Sequence, residues 1–216
     1  MKAIIFDMDG VLIDSSEANR ISFNSVLKDY GIELSQNRRK REIGTSVKDK
    51  IKIWERDFGV KIDAEDFKKR ALTKQLELLS DQLKPNPVID GFIATAKEKG
   101  LRVSVATSST NPRAEIFLTK LGIIDQLDSF LSANDVDKHK PDPELFLTSA
   151  KEMEVKASEC VVIEDALNGI EAARRAKMKV VGVITSVHGK EELNVADLVI
   201  ESLAELSVEK LSKLFE

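Results

Sequence analysis

The sequence predicts an α/β protein whose core is a parallel β-sheet covered by helices, with a smaller helical domain inserted near the start of the chain. Three observations support this fold class. Short apolar runs rich in Ile and Val alternate with longer segments of helical periodicity, which is typical of a parallel sheet wound with helices on its faces. The stretch from about residue 16 to residue 83 interrupts that alternation, because it has helical spacing and no convincing strand. Most of the apolar runs end at loop or charged residues.

Five buried parallel strands are predicted, because a strand covered on both faces is apolar without alternation. The predicted strands are residues 3–6, 103–106, 161–163, 180–184 and 198–200. Helical patterns between them cover residues 89–99, 112–121, 143–153 and 167–176. Gly100 and Gly122 follow two of these helices, at the position where a helix commonly ends on glycine. Strand and helix therefore alternate through the second half of the chain.

The helical insertion predicts two unequal domains. We expect a core domain of residues 1–14 and 85–216 and a helical domain of residues 15–84. Leu12 and Ile13 lead out of the core, and Pro85 and Pro87 stiffen the return. Two short connections would then join the domains.

The composition favours a small partner. The chain has 216 residues and a formal net charge of -4, from 33 basic and 37 acidic side chains. A charge so close to balance gives no overall attraction to nucleic acid or to an anionic membrane, so we expect neither as a partner. Cys160 is the single cysteine and the apolar start is too short for a signal or membrane segment, which favours the cytoplasm.

Carboxylates follow two of the predicted strands directly. Asp7 and Asp9 come after the first strand, and Glu164 and Asp165 come after the strand at residues 161–163. Ligands of open α/β sheets bind beyond the carboxyl ends of the strands, where these loops converge. Crowded carboxylates repel one another and lose hydration, so folding alone gives no reason to collect them. Oxygen ligands at this density suit Mg²⁺, and the sequence predicts a magnesium site.

Hydroxyl groups and a lysine complete the predicted site. Thr107 and Ser108 follow a strand and precede a proline-initiated helix, where free backbone amides favour an anion. Lys140 stands in an extended Lys-Pro segment, which would make it a fixed cation. Both features suit a phosphoryl group beside the metal ion.

Four ordered motifs resemble those of the haloacid dehalogenase superfamily of phosphotransferases. They are DMDGV at residues 7–11, VATSS at 105–109, KPDP at 140–143 and VVIEDALNGIEAA at 161–173. The resemblance extends over nearly the whole chain. It implies a Rossmann-like core, and it implies that the helical insertion is the C1 cap of the family.

The resemblance implies a role for each motif residue. Asp7 would attack phosphorus and form an aspartyl-phosphate, while Asp9 would act as general acid and then as general base. The implied magnesium ligands are Asp7, the backbone carbonyl of Asp9 and Asp165, with Glu164 as a nearby second acid. Thr107, the amide of Ser108 and Lys140 would hold the phosphoryl oxygens. Ala166 stands where many relatives have serine, and we expect the site to tolerate this.

The cap residues that contact substrate are predicted where the helical pattern breaks. Gly44 interrupts the pattern at the place where the cap loop of the family reaches the active site. Thr45, Ser46 and Lys48 are the accompanying candidates.

The resemblance leaves a phosphatase and a phosphomutase as enzyme alternatives. Asp9 implies phosphate ester chemistry, since family members that cleave other bonds have a different residue there. Asn19 and Val47 stand where β-phosphoglucomutase has a histidine and an arginine, although Lys48 could replace the arginine. We therefore favour a monomeric Mg²⁺-dependent phosphatase of a small phosphorylated metabolite such as a sugar phosphate. A non-catalytic protein that binds a phosphorylated ligand is the alternative from another class.

Overall fold

A parallel sheet forms the centre of the molecule. The computed structural model describes residues 1–35, 38, 42 and 45–216. Within this part of the chain, six strands form one sheet in the order β3-β2-β1-β4-β5-β6, and every neighbouring pair is parallel. The strands are β1 (Ala3–Phe6), β2 (Arg102–Ala106), β3 (Ser129–Leu131), β4 (Cys160–Glu164), β5 (Lys179–Val183) and β6 (Leu198–Ile200). The predicted α/β fold class is confirmed.

Helices connect the strands and cover both faces of the sheet. Those of the core are α4 (Pro87–Glu98), α5 (Asn111–Lys120), α6 (Glu144–Glu152), α7 (Leu167–Arg175), α8 (Lys190–Leu193) and α9 (Val208–Ser212). Local sequence explains where α4 begins, because the side chain of Asn86 accepts a hydrogen bond from the amide of Val88 and Pro87 occupies the first helical turn. Gly100 and Gly122 have φ angles of 75° and 74°, in the left-handed region that ends helices.

The sheet is buried on both faces, which explains the unbroken apolar runs. Ile4 and Phe6 of β1 pack into one apolar cluster, whereas Ala3 and Ile5 pack into a second cluster on the opposite face. All four side chains are at most 1% exposed. Because successive strand residues point to opposite faces, burying both faces requires apolar residues at every position.

The segment predicted as a helical domain has an apolar cluster of its own. Its helices are α1 (Ser16–Leu27), α2 (Val47–Phe58) and α3 (Ala64–Leu78). Trp54 and Phe67 are fully buried there, with ring centroids 5.5 Å apart. Ser46 and Asp63 precede α2 and α3 as N-caps, and their side chains accept hydrogen bonds from amides of the first turn. The domain limits at residues 14/15 and 84/85 remain a prediction.

Among the described strands, β3 is the one that the sequence did not predict, and the short helices α8 and α9 were not predicted either. Strand β3 has three residues, lies at the edge of the sheet and pairs with β2 from Ser104↔Ser129 to Ala106↔Leu131. Its short Ser-Phe-Leu sequence becomes a strand through that pairing, since three residues carry no periodicity to recognise. Among the described helices, none combines the length and apolarity needed to cross a membrane.

Candidate active site

The strand order brings the predicted loops together at one edge of the sheet. β1 lies between β2 and β4, and Phe6 is in register with Val105 on one side and Ile163 on the other. Asp7 therefore leaves the sheet beside Thr107 and Glu164. The strand order reverses about β1, and parallel sheets bind ligands at such a reversal.

Lys140 links the two acidic loops. Its Nζ donates to Asp7 Oδ1 at 2.6 Å, to Glu164 Oε1 at 2.9 Å and to the carbonyl of Ala106 at 3.2 Å. Burial raises the pKa of Asp7 to about 7, because the opposing charge of Lys140 offsets only part of the desolvation and Glu164 adds repulsion. Burial alone would lower the pKa of Lys140, but its two carboxylate partners raise it above its ordinary value. The lysine is therefore a fixed cation at the end of β1.

Asp165 carries a buried carboxylate that accepts no hydrogen bond from the described residues. The residue is 4% exposed, and no hydrogen bond or ion pair of its side chain is found among the described residues. Burial raises its pKa well above the ordinary value, and the neighbouring carboxylates of Glu164 and Asp7 raise it further. Gly10 allows this carboxylate to lie against the backbone, since a Cβ at Gly10 would be 2.0 Å from Asp165 Oδ2. A bound cation would stabilise the ionised form of this carboxylate.

Glu164 plays a different part from Asp165. Its carboxylate accepts from Lys140 and also from the amide of Ala166 at 2.6 Å, so its oxygens are already engaged. Gly169 makes room for it, because a Cβ there would be 1.7 Å from Glu164 Oε1. Glu164 therefore holds Lys140 in place beside Asp7.

The predicted phosphoryl-binding residues lie at the same edge. Thr107 is buried, and its hydroxyl oxygen accepts from the amide of Ser109 at 3.1 Å. The hydroxyl of Ser108 is buried without a hydrogen-bond partner among the described residues. With Lys140 nearby, these groups can accommodate an anion such as a phosphoryl group.

Asp9 is enclosed by hydrogen-bond donors that the sequence did not predict. Its carboxylate accepts two hydrogen bonds from the Arg113 guanidinium, at 2.7 and 2.6 Å, and further bonds from the hydroxyls of Ser109 and Ser15. Burial by itself would raise the pKa of Asp9, but the charge and hydrogen bonds of Arg113 lower it to about 2. Asp9 is therefore ionised in this structure.

Arg113 also connects the core to the helical insertion. Its Nε donates to Gln75 Oε1 of α3 at 2.7 Å, and Gln75 Nε2 donates to Asn19 Oδ1 of α1 at 2.9 Å. The sequence does contain a signal for Arg113. This residue lies in the first turn of α5, four residues after Ser109, which is a distance of about one helical turn. Only the structure shows that the turn faces Asp9.

A cavity of about 550 Å³ lies between the core edge and the insertion. Asp7, Asp9 and Thr107 line its core side. Phe23, Trp54 and Lys50 line it from the insertion. This volume is in the range of small-molecule binding pockets.

The predicted cap contacts take different positions. Thr45 lines the cavity. Ser46 is buried and caps α2, where its hydroxyl oxygen accepts from the amide of Asp49 at 3.2 Å. Lys48 is exposed, and among the described residues it is Lys50, two positions further along α2, that lines the cavity. Gly44 lies outside the described residues.

The donor set fits a metal ion that shares its shell with water and substrate. Among the described residues, no three side chains of His, Cys, Asp or Glu are arranged as a ready metal cage. Two buried carboxylates, Asp7 and Asp165, nevertheless repel each other at the edge of the sheet, and the Asp165 side chain has no proton donor in the described part of the chain. Mg²⁺ typically keeps several waters and binds through one or two carboxylates together with substrate phosphate. The residues present therefore suit such an ion.

The fold and this site agree with a known family. The chain matches the family model described as haloacid dehalogenase-like hydrolase over residues 4–183, and it belongs to that family. The predicted family and the predicted enzyme class, a phosphatase, are thereby confirmed. Phosphatases of this family generally use a divalent metal ion.

Individual relatives cover almost the whole chain. A phosphorylated carbohydrates phosphatase of Thermotoga maritima is 30% identical over 89% of this chain and 90% of its own length. A β-phosphoglucomutase of Bacillus subtilis is 30% identical over 100% of this chain and 96% of its own. The crystal structure of a hydrolase from Pseudomonas syringae superposes with a TM-score of 0.85 at 31% identity, covering 100% of both chains. The chain is thus similar both to phosphatases and to a mutase.

Proposed function

We propose that this protein is a Mg²⁺-dependent phosphatase of a small phosphomonoester, with a sugar phosphate as the substrate class. The observation that carries the proposal is the arrangement at the end of β1, where Asp7 lies against Lys140 and the buried Asp165 carboxylate has no ion-pair partner among the described residues. The relatives that act on phosphorylated carbohydrates support the choice of substrate class.

Asp7 is the proposed nucleophile. One of its carboxylate oxygens attacks phosphorus while the bond from phosphorus to the ester oxygen breaks, so that an aspartyl-phosphate forms and an alcohol leaves. Lys140 stabilises the ionised form of Asp7 and the negative charge on the phosphoryl oxygens. The hydroxyl of Thr107 and the hydroxyl and amide of Ser108 bind the same oxygens. Water then hydrolyses the aspartyl-phosphate and releases inorganic phosphate.

Asp9 is the proposed general acid and base. It gives a proton to the leaving alkoxide and afterwards takes one from the attacking water, a role worth about 10²–10⁴-fold in rate. Because Asp9 is ionised and held by Arg113 here, it must exchange that ion pair for a proton and a substrate contact before turnover. In this mechanism the ion pair between Asp9 and Arg113 therefore breaks once in every catalytic cycle.

Asp7, the backbone carbonyl of Asp9 and Asp165 are the proposed ligands of Mg²⁺. When bound, the ion offsets the charge of the phosphoryl oxygens and of the attacking carboxylate. The helical segment of residues 15–84 is the proposed cap, which closes over the cavity and excludes bulk water.

A mutase is the second candidate, because the β-phosphoglucomutase of Bacillus subtilis covers the whole chain. Two positions argue against it. Asn19 is bonded to Gln75, and Val47 is an apolar residue in the cavity wall, so neither supplies the histidine or arginine expected of that enzyme. Hydrolysis is therefore the better supported reaction.

Phosphate release measured over a panel of sugar phosphates and p-nitrophenyl phosphate tests the proposal. We expect release that requires Mg²⁺ and is abolished by a chelator and by Asp7→Asn. A mutase would convert a hexose 1-phosphate, primed with a bisphosphate, into its isomer with little free phosphate. If no compound is hydrolysed while one of them still raises the melting temperature, the protein is a phospholigand-binding protein instead.

A further inference from the structure

Lys50 is a cation in the cavity wall that has no counter-ion in the described part of the chain. It lies on α2 and lines the same cavity as Asp7 and Asp9 on the core side. Within the described residues its Nζ has no hydrogen-bond or carboxylate partner. Nζ lies over the ring of Phe23, 5.5 Å from the ring centroid. Lys52, on the same helix, is 63% exposed in its side chain and pairs with Asp49 at 3.3 Å. The two lysines differ in surroundings, although they share a helix.

The acidic groups around Lys50 are already bonded to other partners. Glu42 also lines the cavity, but its carboxylate accepts from Trp54 Nε1 at 3.0 Å and from Arg38 Nε at 2.9 Å. Asp9 is paired with Arg113. Burial lowers the pKa of Lys50 to about 8, and the charges of Glu42 and Asp9 offset this only in part.

We propose that Lys50 binds a second anionic group of the substrate, a carboxylate or a second phosphate, at the end remote from the phosphoryl group that is cleaved. This inference rests on the proposed function, whose substrate class it narrows to acidic sugar phosphates and bisphosphates.

An anion is favoured over a neutral hydroxyl for an energetic reason. A cation withdrawn from water is costly unless an opposite charge compensates it, and a hydroxyl supplies only a dipole. An anion would form a charge-assisted hydrogen bond with Nζ and restore its ordinary protonation. The ring of Phe23 beside Nζ adds a favourable contact with the cation. A cavity of about 550 Å³ has room for a sugar ring between the two anionic ends.

The test compares matched substrates in the normal protein and in Lys50→Met. The pairs are sorbitol 6-phosphate with 6-phosphogluconate, in which a carboxylate replaces the terminal CH2OH of the same open chain, and fructose 1-phosphate with fructose 1,6-bisphosphate, which adds a phosphate. We expect the normal protein to prefer at least one acidic member. Lys50→Met should reduce that preference about 10- to 100-fold, mainly through KM, because a hydrogen bond to a charged group is worth about 1.5–3 kcal/mol. The two pairs distinguish the carboxylate from the phosphate.

Lys52→Met is the matched control, since it removes a lysine from the same helix outside the cavity wall. It should leave both ratios unchanged, and it should hydrolyse p-nitrophenyl phosphate, which has no second anion, at the rate of the normal protein. An unchanged ratio in Lys50→Met, or a normal protein that prefers the neutral member of both pairs, overturns the inference while the phosphatase proposal stands.

A binding measurement separates this inference from the proposed reaction. Calorimetric titration of 6-phosphogluconate and fructose 1,6-bisphosphate into Asp7→Asn, with and without Lys50→Met, requires no turnover. We expect affinity for at least one ligand to fall about 10- to 100-fold when Lys50 is replaced. If each ligand binds with the same affinity whether or not Lys50 is replaced, the inference is overturned, even if no substrate is ever hydrolysed.

Discussion

Arg113 and Asp9 form a two-pronged ion pair, with Nη1 2.7 Å from Oδ2 and Nη2 2.6 Å from Oδ1. The same guanidinium donates to Gln75 of α3. The proposed general acid is therefore joined through one side chain to the helical segment that covers the cavity. Because Gln75 and Asp9 share this partner, a displacement of α3 changes the surroundings of the carboxylate.

Arg113→Met should destabilise the protein at about pH 7 by roughly 2–3 kcal/mol, less than a fully buried pair because the Asp9 side chain is 26% exposed. The pKa of Asp9 is lower in the folded protein than in the unfolded chain. Its ionisation therefore stabilises the fold above the ordinary carboxyl pKa, and that contribution is lost as the pH falls toward about 2. The stability difference between the normal protein and the variant, measured by urea unfolding, should thus narrow from about pH 5 to about pH 2.

A double-mutant cycle with Asp9→Asn isolates the pair, and we expect a coupling free energy of about 1–3 kcal/mol. Arg102→Met, which removes an arginine whose side chain is 56% exposed, serves as the control and should cost much less. A difference that stays constant over the acid range would show that Arg113 acts through packing instead of charge.

Lys140→Met should be the most damaging of the single substitutions at the site. It would leave Asp7 and Glu164 buried without their shared cation, and breaking such a pair costs about 3–5 kcal/mol. The pKa of Asp7 should rise further above about 7, so more of the nucleophile would be protonated at neutral pH. The rate of phosphate release and the free energy of unfolding, measured in urea, should both fall. The exposed neighbour Lys138, changed to Met, should behave normally, and a fully active Lys140→Met would remove Lys140 from the mechanism.

Gly10→Ala should impair the proposed metal site in particular. Its Cβ would lie 2.0 Å from Asp165 Oδ2, so the carboxylate must move. Gly100→Ala is a matched control, because Gly100 has a φ of 75° against 84° for Gly10 but meets no atom within 4 Å. Both variants should lose about 1–2 kcal/mol from the left-handed backbone. Only Gly10→Ala should weaken the stabilisation by Mg²⁺ in thermal unfolding; equal Mg²⁺ stabilisation in both would argue against Asp165 as a ligand.

Lys50→Met should stabilise the protein without substrate at about pH 7, by an amount on the order of 1 kcal/mol, since partial exposure screens the charge. Burial lowers the pKa of Lys50 to about 8 in the folded protein, so between that pH and its ordinary pKa the unfolded chain binds more protons. The normal protein therefore gains stability as the pH rises through about 8. The advantage of the variant should shrink from about pH 7 to about pH 10. An advantage that does not change with pH would contradict this charge penalty.

Much of the fold was predictable from local sequence. The residues of β1 and β4 are apolar at every position because both faces of the sheet are covered, so their runs identify buried strands. β3 was not predictable, since its three residues gain their conformation from the pairing with β2. The convergence of Asp7, Thr107 and Asp165 followed from their places after parallel strands, which all end at one edge.

The partners of these groups were less accessible to sequence reasoning. Asp9 was expected to be a proton donor, but its ion pair with Arg113 depends on how the first turn of α5 faces β1. Lys48 was the predicted substrate contact, but among the described residues the lysine that lines the cavity is Lys50. Two positions along an α-helix turn the side chain by about 200°, so the docking of α2 on the core decides which lysine faces inward.

The sequence by itself determined the alternation of strand and helix, the helical insertion and the acidic, hydroxyl and lysine residues that end the strands, because each depends on neighbours within a few positions of the chain. Only the tertiary structure decided the pairing of Asp9 with Arg113, the separate roles of Glu164 and Asp165, and the place of Lys50. These depend on the rotation of whole helices against the sheet, which is set by packing between residues far apart in sequence.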